Sequence, residues 1–443
     1  MTTAATRPRA ELSLTVADLG LAYLPEQADD IQRVLSTPID HDTFTLLGTR
    51  VSKLEVGPEL RKVVSHFRTP AGETPAGFER QFSLRNDTLV VDLKRNISYD
   101  KNGTLRPTRV LYSADSANPY EVEPIAPFLG NLTCNPGIIY DLFLNNPEAN
   151  VGGKFKDRDE VITALGDVLG PGCDVSVELN NPFEQDFNKI LEEAERFKEI
   201  LSPWRVVIKV PHTGPVNAGN YSQLLEGDKR LDTGYGAGST QDALHGHQTA
   251  LRLQEAGFRV NFTLMFEPYQ TQLALQARPY FINSFIRHRK MQSERIIGLL
   301  KAYETSQDSF FLKELREYFI ANDYLPSGAE NEDLLSVLSL ARNVLENRSL
   351  ASDTIKFDGL DSVRHNLRAL RNANLPDTRL IICSMEGERN YPDIDNLLAD
   401  PEFADMTNRI VLTAEPAYLA RFTSTNQVVS YQRRFMNAAN GQS

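Results

Sequence analysis

Long hydrophobic runs are missing from this chain of 443 residues. No stretch of about 18 consecutive apolar residues occurs, so we expect no membrane-spanning helix. The N-terminal residues lack an apolar core of signal-peptide length, which predicts a cytoplasmic protein. Cysteine is scarce, because the chain has only Cys134, Cys173 and Cys383. These residues are far apart, match no metal-binding spacing and favour a reducing compartment.

Basic residues are fewer than acidic residues, and the net charge is −12. An acidic surface argues against nucleic acid and anionic membranes as general partners. The composition, with 41% hydrophobic and 24% charged residues, is that of an ordinary globular protein. The length accommodates a single barrel domain over residues 1–443 with large insertions.

Short apolar or β-branched runs alternate with helical patterns along most of the chain. We predict eight strands, at residues 12–18, 128–134, 173–178, 205–210, 259–265, 280–285, 378–384 and 409–414. This alternation predicts an α/β protein with a parallel sheet. Eight units favour closure into a (β/α)8 TIM barrel over a doubly wound open sheet.

Three segments are longer than the connections that a simple (β/α)8 barrel requires. Residues 38–125 are polar and β-leaning, contain the hairpin signal Asn102-Gly103 and are predicted to be an insertion after strand one. Residues 214–246 form a long loop that topology puts on the catalytic face, where it is a candidate lid or specificity loop. Residues 289–374 predict extra helices between strands six and seven. The tail after about residue 424 is polar and is expected to be irregular.

Polar residues occur at the ends of several predicted strands. Barrel enzymes build their active sites at the C-terminal ends of the strands. Alternate residues of a strand share a face, so Asn261 and Thr263 should lie opposite Phe262 and point into the barrel. The strand-end residues of this kind are Asp18, Asn131, Thr133, Asn135, Glu178, Lys209, Asn261, Thr263, Asn283 and Ser284.

Lys209 lies within the apolar run VVIKV, which is unusual because lysine is almost never fully buried without a partner. A buried lysine loses its proton more readily, and its free amine can attack a carbonyl. Two structural explanations stay open at this point. Lys209 could extend to solvent at the strand end, or it could form a core ion pair with Glu178.

Five segments in order resemble the transaldolase family: VADLG (16–20), NLTCNPG (131–137), VSVELN (175–180), VVIKVPHTGP (206–215) and AGFRVNFTLMF (256–266). INSFIRHR (282–289) is similar to a diverged sixth strand of that family. The resemblance implies a (β/α)8 barrel that transfers a dihydroxyacetone unit between sugars or sugar phosphates, as in the pentose phosphate pathway. It implies no metal and no organic cofactor.

The resemblance assigns roles to particular residues. Lys209 would form the Schiff base, Asp18 would move the hydroxyl proton during carbon–carbon cleavage, and Glu178 would act through a water held by Thr263. Substrate hydroxyl groups would contact the polar residues Asn135, Thr133, Asn261 and Asn283, and Phe285 would wall the site. Related aldolases that release the three-carbon piece typically carry glutamine on the third strand, so Glu178 favours transfer.

The region expected to bind phosphate departs from the family pattern. After strand six, His288 falls where the family has arginine, and the flanking arginines are Arg287 and Arg289. After strand seven, Arg389 precedes an asparagine as the family arginine does, but Ser384 is displaced. Glu386 and Glu388 lie beside it, and their charges would oppose phosphate. We therefore hypothesise a substrate that is unphosphorylated or bulkier.

Alternatives to a standard transaldolase remain at this stage. One is a specialised transaldolase-like or aldolase enzyme of secondary metabolism, and another is a non-catalytic barrel that binds a partner. His245 and His247 form a pair that would need a third ligand to hold zinc. His212, three residues after Lys209, is a candidate for proton transfer. The oligomeric state is expected to be monomer or homodimer.

Overall fold

The computed structural model describes residues 14–70, 72–231, 236, 238–349, 360–385, 390–421 and 423–441. The chain divides into two compact units. The first comprises Met1–Pro107 with Pro171–Cys173, and the second comprises Thr108–Gly170 with Asp174–Ser443.

The first unit contains two small sheets. Strands β1 (Leu14–Thr15) and β2 (Pro38–Ile39) pair antiparallel, and the second sheet has the order β3-β5-β4. Its strands are β3 (Lys53–Val56), β4 (Phe78–Arg85) and β5 (Thr88–Arg95). Three helices accompany them: α1 (Ala28–Leu35), α2 (His41–Gly48) and α3 (Pro58–His66).

The hairpin of this unit is not where the sequence predicts it. Strands β4 and β5 pair antiparallel across Asn86 and Asp87, and Asn86 has a φ of 57°. Asn102 also adopts a left-handed φ of 61°, so a tight turn does form there. That turn is bracketed only by the isolated bridge between Tyr99 and Leu105, not by two long strands. Asparagine tolerates left-handed backbone in either context, which is why the signal at Asn102 was misleading.

Eight parallel strands of the second unit form a closed barrel. Its strands are β6 (Leu111–Asp115), β7 (Leu129–Cys134), β8 (Asp174–Glu178), β9 (Val206–Pro211), β10 (Val260–Thr263), β11 (Phe281–Phe285), β12 (Arg379–Cys383) and β13 (Ile410–Ala414). Their order around the barrel follows the sequence, and β13 closes against β6. The predicted (β/α)8 barrel is confirmed.

The predicted first strand of the barrel is wrong. Within 12–18, the described residues form the two-residue strand β1 and then a 3-10 helix from Val16 to Leu19, all in the first unit. The true first strand is β6, which pairs with β13 and β7. Both segments are short apolar runs that end in aspartate, so their patterns are indistinguishable locally. The β-rich region therefore precedes the first barrel strand and is not inserted after it.

Helices follow the barrel strands as the alternation predicts. They are α4 (Pro119–Val122), α5 (Arg158–Leu169), α6 (Phe187–Leu201), α7 (Thr240–Ala243), α8 (His245–Glu255), α9 (Gln270–Gln276), α10 (Ile286–Ser306), α11 (Phe310–Ala321), α12 (Leu334–Ser349), α13 (Asp361–Arg371), α14 (Tyr391–Ala399) and α15 (Pro416–Arg421). A π-helix at Gly137–Leu144 follows β7.

Extra helices between β11 and β12 are confirmed. Helices α10, α11 and α12 share a hydrophobic core of their own, which includes Ile296, Leu315, Phe319 and Val337. The chain after residue 424 is not irregular, because α16 (Asn426–Ala439) forms there with Thr425 as its N-cap. All residues of α16 are exposed, so its polar composition is compatible with a helix. Among the described residues, no helix is long and apolar enough to cross a membrane.

Candidate active site

Two contacts show which side chains face the barrel interior. Phe262 packs outward against His247 of α8, with ring centroids 4.7 Å apart. Ser284 accepts a hydrogen bond from Asn366 of α13 at 2.6 Å, so it also faces the helical layer. Because neighbouring residues of a strand point to opposite faces, Asn261 and Asn283 face the interior.

Lys209 and Glu178 lie side by side in this interior. They are register partners on β9 and β8, and Nζ of Lys209 is 3.1 Å from Oε2 of Glu178. Lys209 is only 5% exposed, so it does not extend to solvent. Of the two structural explanations, the ion pair with Glu178 is the one that the structure contains. On its other side, Lys209 is the register partner of Asn261.

A carboxylate that the sequence reasoning missed completes this group. Asp115, at the end of β6, accepts a hydrogen bond from Oγ1 of Thr133 at 2.6 Å. The two are register partners on β6 and β7, and the charge of Asp115 acts on Lys209. Asp115 ends the short run LYSAD, and a helix begins soon after it at Pro119. This order of strand and then helix is typical of a barrel and could have identified the residue.

Asp18 is not on a strand of the barrel. It lies in the first unit, where its carboxylate accepts hydrogen bonds from N and Oγ1 of Thr15 at 2.7 and 2.8 Å. These bonds hold the pKa of Asp18 below its usual value, and the side chain is exposed. Its carboxylate thus caps a 3-10 turn, and the catalytic role expected for Asp18 is withdrawn.

Opposing effects act on the pKa of Lys209. Burial is the largest and lowers the pKa, whereas the charges of Glu178 and Asp115 raise it, and the net direction is upward. Lys209 is therefore an ammonium ion at neutral pH in the free protein. Its proton has to leave before the amine attacks a carbonyl, and Glu178 is the adjacent acceptor.

Three buried polar atoms on β10 and β13 have no hydrogen-bond partner. They are Nδ2 of Asn261, Oγ1 of Thr263 and Oγ1 of Thr413. Buried polar groups are usually satisfied, so such a set is typical of a surface that receives a polar ligand. The sequence predicted the first two as site residues. Thr413, on the eighth strand in register with Ser113, was missed.

Three further predicted residues lie at the same end of the barrel. Asn135 follows β7, and its Oδ1 accepts a hydrogen bond from N of Ile138 at 2.9 Å, which leaves its Nδ2 for other contacts. Asn283 is 2% exposed and bonds to Asn261. Phe285 ends β11 and packs on Phe266 with ring centroids 4.8 Å apart. Binding of substrate by these residues remains a prediction.

Arg289 is not placed to bind a substrate phosphate. It is 2% exposed and makes ion pairs with Glu267 and Asp361, the latter at 2.6 Å between Nη2 and Oδ2. Arg348 of α12 adds a contact to Glu267 at 3.4 Å. The network balances two cations with two carboxylates. The predicted role of Arg289 is corrected to a structural one, since its guanidinium is already saturated by internal anions.

His288 is held neutral by a neighbouring amide. Oε1 of Gln292 accepts hydrogen bonds from Arg348 and Tyr324, each at 2.7 Å. Nε2 of Gln292 is therefore the donor towards Nε2 of His288, at 2.8 Å. The proton of this imidazole is then on Nδ1, and burial together with the charge of Arg348 lowers the His288 pKa.

The remaining predicted anion ligands are positioned only in part. The backbone N of Arg287 donates to O of Ser384 at 2.7 Å, which joins the ends of β11 and β12. Ser384 has a φ of 51°, a strained conformation of the kind found at functional sites. Arg389, Glu386 and Glu388 lie outside the described residues.

The histidines near Lys209 face away from the interior. His212 packs edge-on against His247, with ring centroids 5.1 Å apart, and against Phe262 at 4.6 Å. Burial and the neighbouring His247 lower the pKa of His212 to about 3. A proton-transfer role for His212 does not fit this outward orientation. Within the described parts of the chain, no group of three or more His, Cys, Asp or Glu side chains is arranged to hold a metal ion.

Residues 221–230 of the loop predicted over 214–246 contact two other parts of the second unit. Tyr221 stacks on Phe183 with ring centroids 6.3 Å apart. Nε of Arg230 is 2.9 Å from Oδ1 of Asp323, and Ser327 donates to Asp228 at 2.8 Å. The loop is thus tied to the segment after β8 and to the extra helices after β11. Its function as a lid or specificity loop remains a prediction.

A closed eight-stranded parallel barrel with a buried lysine and two interior carboxylates defines a TIM-barrel protein with a lysine-centred polar site. Residues 112–309 match the family model described as transaldolase/fructose-6-phosphate aldolase. This match covers less than half of the chain and supports its membership of this family of transaldolases and aldolases. The match begins within β6 and ends just after α10. No curated protein matches the chain.

Proposed function

We propose that this protein is a transaldolase-like transferase that moves a dihydroxyacetone unit from a ketose to an aldose acceptor through an imine at Lys209. The observation that carries the proposal is the buried Lys209–Glu178 pair with Asp115 on the same interior surface. A buried lysine with two half-buried carboxylates in the barrel interior has no evident stability rationale, because desolvating charges is costly.

In the first step, Glu178 accepts a proton from the Lys209 ammonium, and the free amine attacks the ketose carbonyl. The carbonyl oxygen takes up two protons, one from the Lys209 nitrogen and the one held by Glu178, and leaves as water, giving a protonated imine. Glu178 and a water held by Thr263 move these protons. Such positioned acid–base groups contribute about 10²–10⁴-fold to a rate.

In the second step, the carboxylate of Asp115 removes the proton of the hydroxyl group on the β-carbon of the imine, which is the carbon of the scissile bond that becomes the aldehyde. The carbon–carbon bond breaks, its electron pair enters the iminium to form an enamine, and an aldehyde leaves. The enamine then adds to an acceptor aldehyde, the proton returns from Asp115, and hydrolysis frees Lys209. Asp115 takes the role that the sequence analysis had given to Asp18.

A second candidate is the same chemistry on a substrate without phosphate. Arg289 is saturated by Glu267 and Asp361, and His288 is held neutral, so neither supplies a free cation for a phosphate. The family suggests sugar phosphates, so the two candidates differ in one property that can be measured. A non-catalytic barrel is the third reading, and it predicts no covalent adduct with any ketose.

Matched pairs of phosphorylated and free sugars separate these candidates. We expect transfer activity in wild type and none in Lys209→Met, with Lys62→Met, an exposed lysine of the first unit, as the control variant. If activity with fructose is within about tenfold of that with fructose 6-phosphate, or about 1.4 kcal/mol, the site does not use the phosphate. Strict dependence on phosphate would reject the second candidate.

A further inference from the structure

The side chain of Asn283 lies in the middle of a short hydrogen-bonded chain inside the barrel. Its Nδ2 is 2.8 Å from the carbonyl oxygen of Phe262 and 2.6 Å from Oδ1 of Asn261. Its Oδ1 is 3.7 Å from Sγ of Cys383. Asn283 is 2% exposed, and both hydrogens of its amide nitrogen are used within the protein.

The carbonyl group of Phe262 fixes the orientation of both amides. A backbone carbonyl oxygen only accepts hydrogen bonds, so the Asn283 atom that faces it has to be nitrogen. The second hydrogen of that nitrogen needs an acceptor, and Asn261 therefore turns its Oδ1 towards Asn283. Nδ2 of Asn261 then points the other way, and this buried atom has no partner.

The free donor of Asn261 is on the strand next to that of Lys209. Asn261 is the register partner of Lys209 and shares its interior face, while Asn261 itself is fully buried. A buried donor without a partner is costly, so the fold retains it where a ligand oxygen can accept. In this orientation Asn261 can only donate, which suits a hydroxyl, carbonyl or alkoxide oxygen.

We infer that Asn283 is a positioning residue. It holds Asn261 with the amide nitrogen towards the interior, so that Asn261 donates to an oxygen of the three-carbon unit on Lys209. This inference rests on the proposed function for the identity of the ligand, but not for the orientation of the amides. It replaces the sequence expectation that Asn283 binds the substrate itself, because its donors are already occupied.

The orientation is tested first in the substrate-free protein. In protein labelled with ¹⁵N at asparagine, the side-chain amide signals of Asn261 and Asn283 are assigned by their loss in Asn261→Ala and Asn283→Ala. We expect both Asn283 amide protons at the downfield, hydrogen-bonded end, and the Asn261 protons upfield of them. Downfield Asn261 protons with upfield Asn283 protons would overturn the inference. This result stands whether or not any sugar reacts.

The consequence for the reaction is tested by a double-mutant cycle. The rate at which dihydroxyacetone is trapped on Lys209 by borohydride should fall about tenfold or more in Asn283→Ala, but less than about threefold when Asn261→Ala is already present. A purely structural role would cost the same in both backgrounds and would overturn the inference. Reductive methylation of Lys209 by formaldehyde, which needs no hydroxyl contact, should stay unchanged.

A second variant, of nearly the same size as wild type at position 283, keeps the test valid if Asn283→Ala fails to fold. Asn283→Asp keeps the shape but cannot donate to Phe262 or Asn261, so Asn261 should reverse and present its oxygen. We expect a folded protein by Trp204 fluorescence, with trapping slowed at least as much as in Asn283→Ala. Trapping at the wild-type rate would contradict the inference. Absence of any wild-type adduct would refute the proposed function, and the amide signals would still decide the orientation.

Discussion

Two buried charged clusters of the barrel unit invite comparison. In the lysine cluster, Lys209 pairs with Glu178 while atoms of Asn261, Thr263 and Thr413 have no partner. In the arginine cluster, Arg289 and Arg348 meet Glu267 and Asp361, and each cation has several acceptors. We call the lysine cluster open, because it has polar atoms that a ligand could bind. We call the arginine cluster closed, because its charged groups already have partners. Unsatisfied polarity, more than buried charge, marks the site.

The largest effect should come from Asp115 in the open cluster. Asp115→Asn removes the base for carbon–carbon cleavage, so we expect kcat to fall about 10²–10⁴-fold. Imine formation at Lys209 needs no cleavage, so adduct trapping with dihydroxyacetone should persist. Steady-state kinetics with fructose 6-phosphate and borohydride trapping measure the two steps. Wild-type kcat in this variant would show that Asp115 is not the base.

Glu178 should control the pH dependence of the same cluster. Burial lowers the Lys209 pKa and the carboxylates raise it, so Glu178→Gln leaves burial to dominate. The pKa of Lys209 should then fall, and the rising limb of the trapping rate should move to lower pH. Its plateau should drop by about 10²-fold, because glutamine accepts no proton. If the trapping rate of Glu178→Gln still rises up to pH 10 without levelling off, as expected for wild type, this electrostatic explanation is contradicted.

Breaking the closed cluster should affect stability. Arg289→Met removes the cation from Asp361 and leaves Glu267 with only its longer contact to Arg348, so we expect a loss of about 3–5 kcal/mol in the free energy of unfolding. Trp204, the one tryptophan of the chain, reports urea unfolding of the barrel unit. As a control, Arg342→Met removes an exposed pair with Glu304 and should cost less than about 1 kcal/mol. Equal losses in both variants would refute the distinction.

The smallest effect should come from Asp18. Its exposed carboxylate bonds only within the turn at Thr15, so Asp18→Asn should change kcat less than about twofold, well below the effect of losing a positioned acid–base group. Steady-state assays of Asp18→Asn beside Asp115→Asn make the comparison direct. A loss of a hundredfold would restore the original assignment and place Asp115 in doubt.

Seven of the eight barrel strands could be predicted from the sequence, because strands and helices alternate along the chain and each leaves a pattern that is visible locally. The sequence also placed Lys209, Glu178, Asn261 and Thr263 correctly on the interior face of the barrel, since these residues interrupt apolar runs at predictable faces. It failed at Asp18, because two short runs ending in aspartate look alike and only the pairing of β6 with β13 distinguishes them. The ion pair between Arg289 and Asp361 could not be predicted from the sequence either, because the two residues are 72 positions apart.

The most direct test of the account is peptide mass spectrometry after borohydride reduction in the presence of a ketose. Fructose 6-phosphate, fructose and dihydroxyacetone are tested separately with wild type and with Lys209→Met. We expect a reduced three-carbon adduct on the peptide that carries Lys209 in wild type, and no adduct in the variant. An adduct on another lysine, or none with any of these donors, would contradict an imine at Lys209.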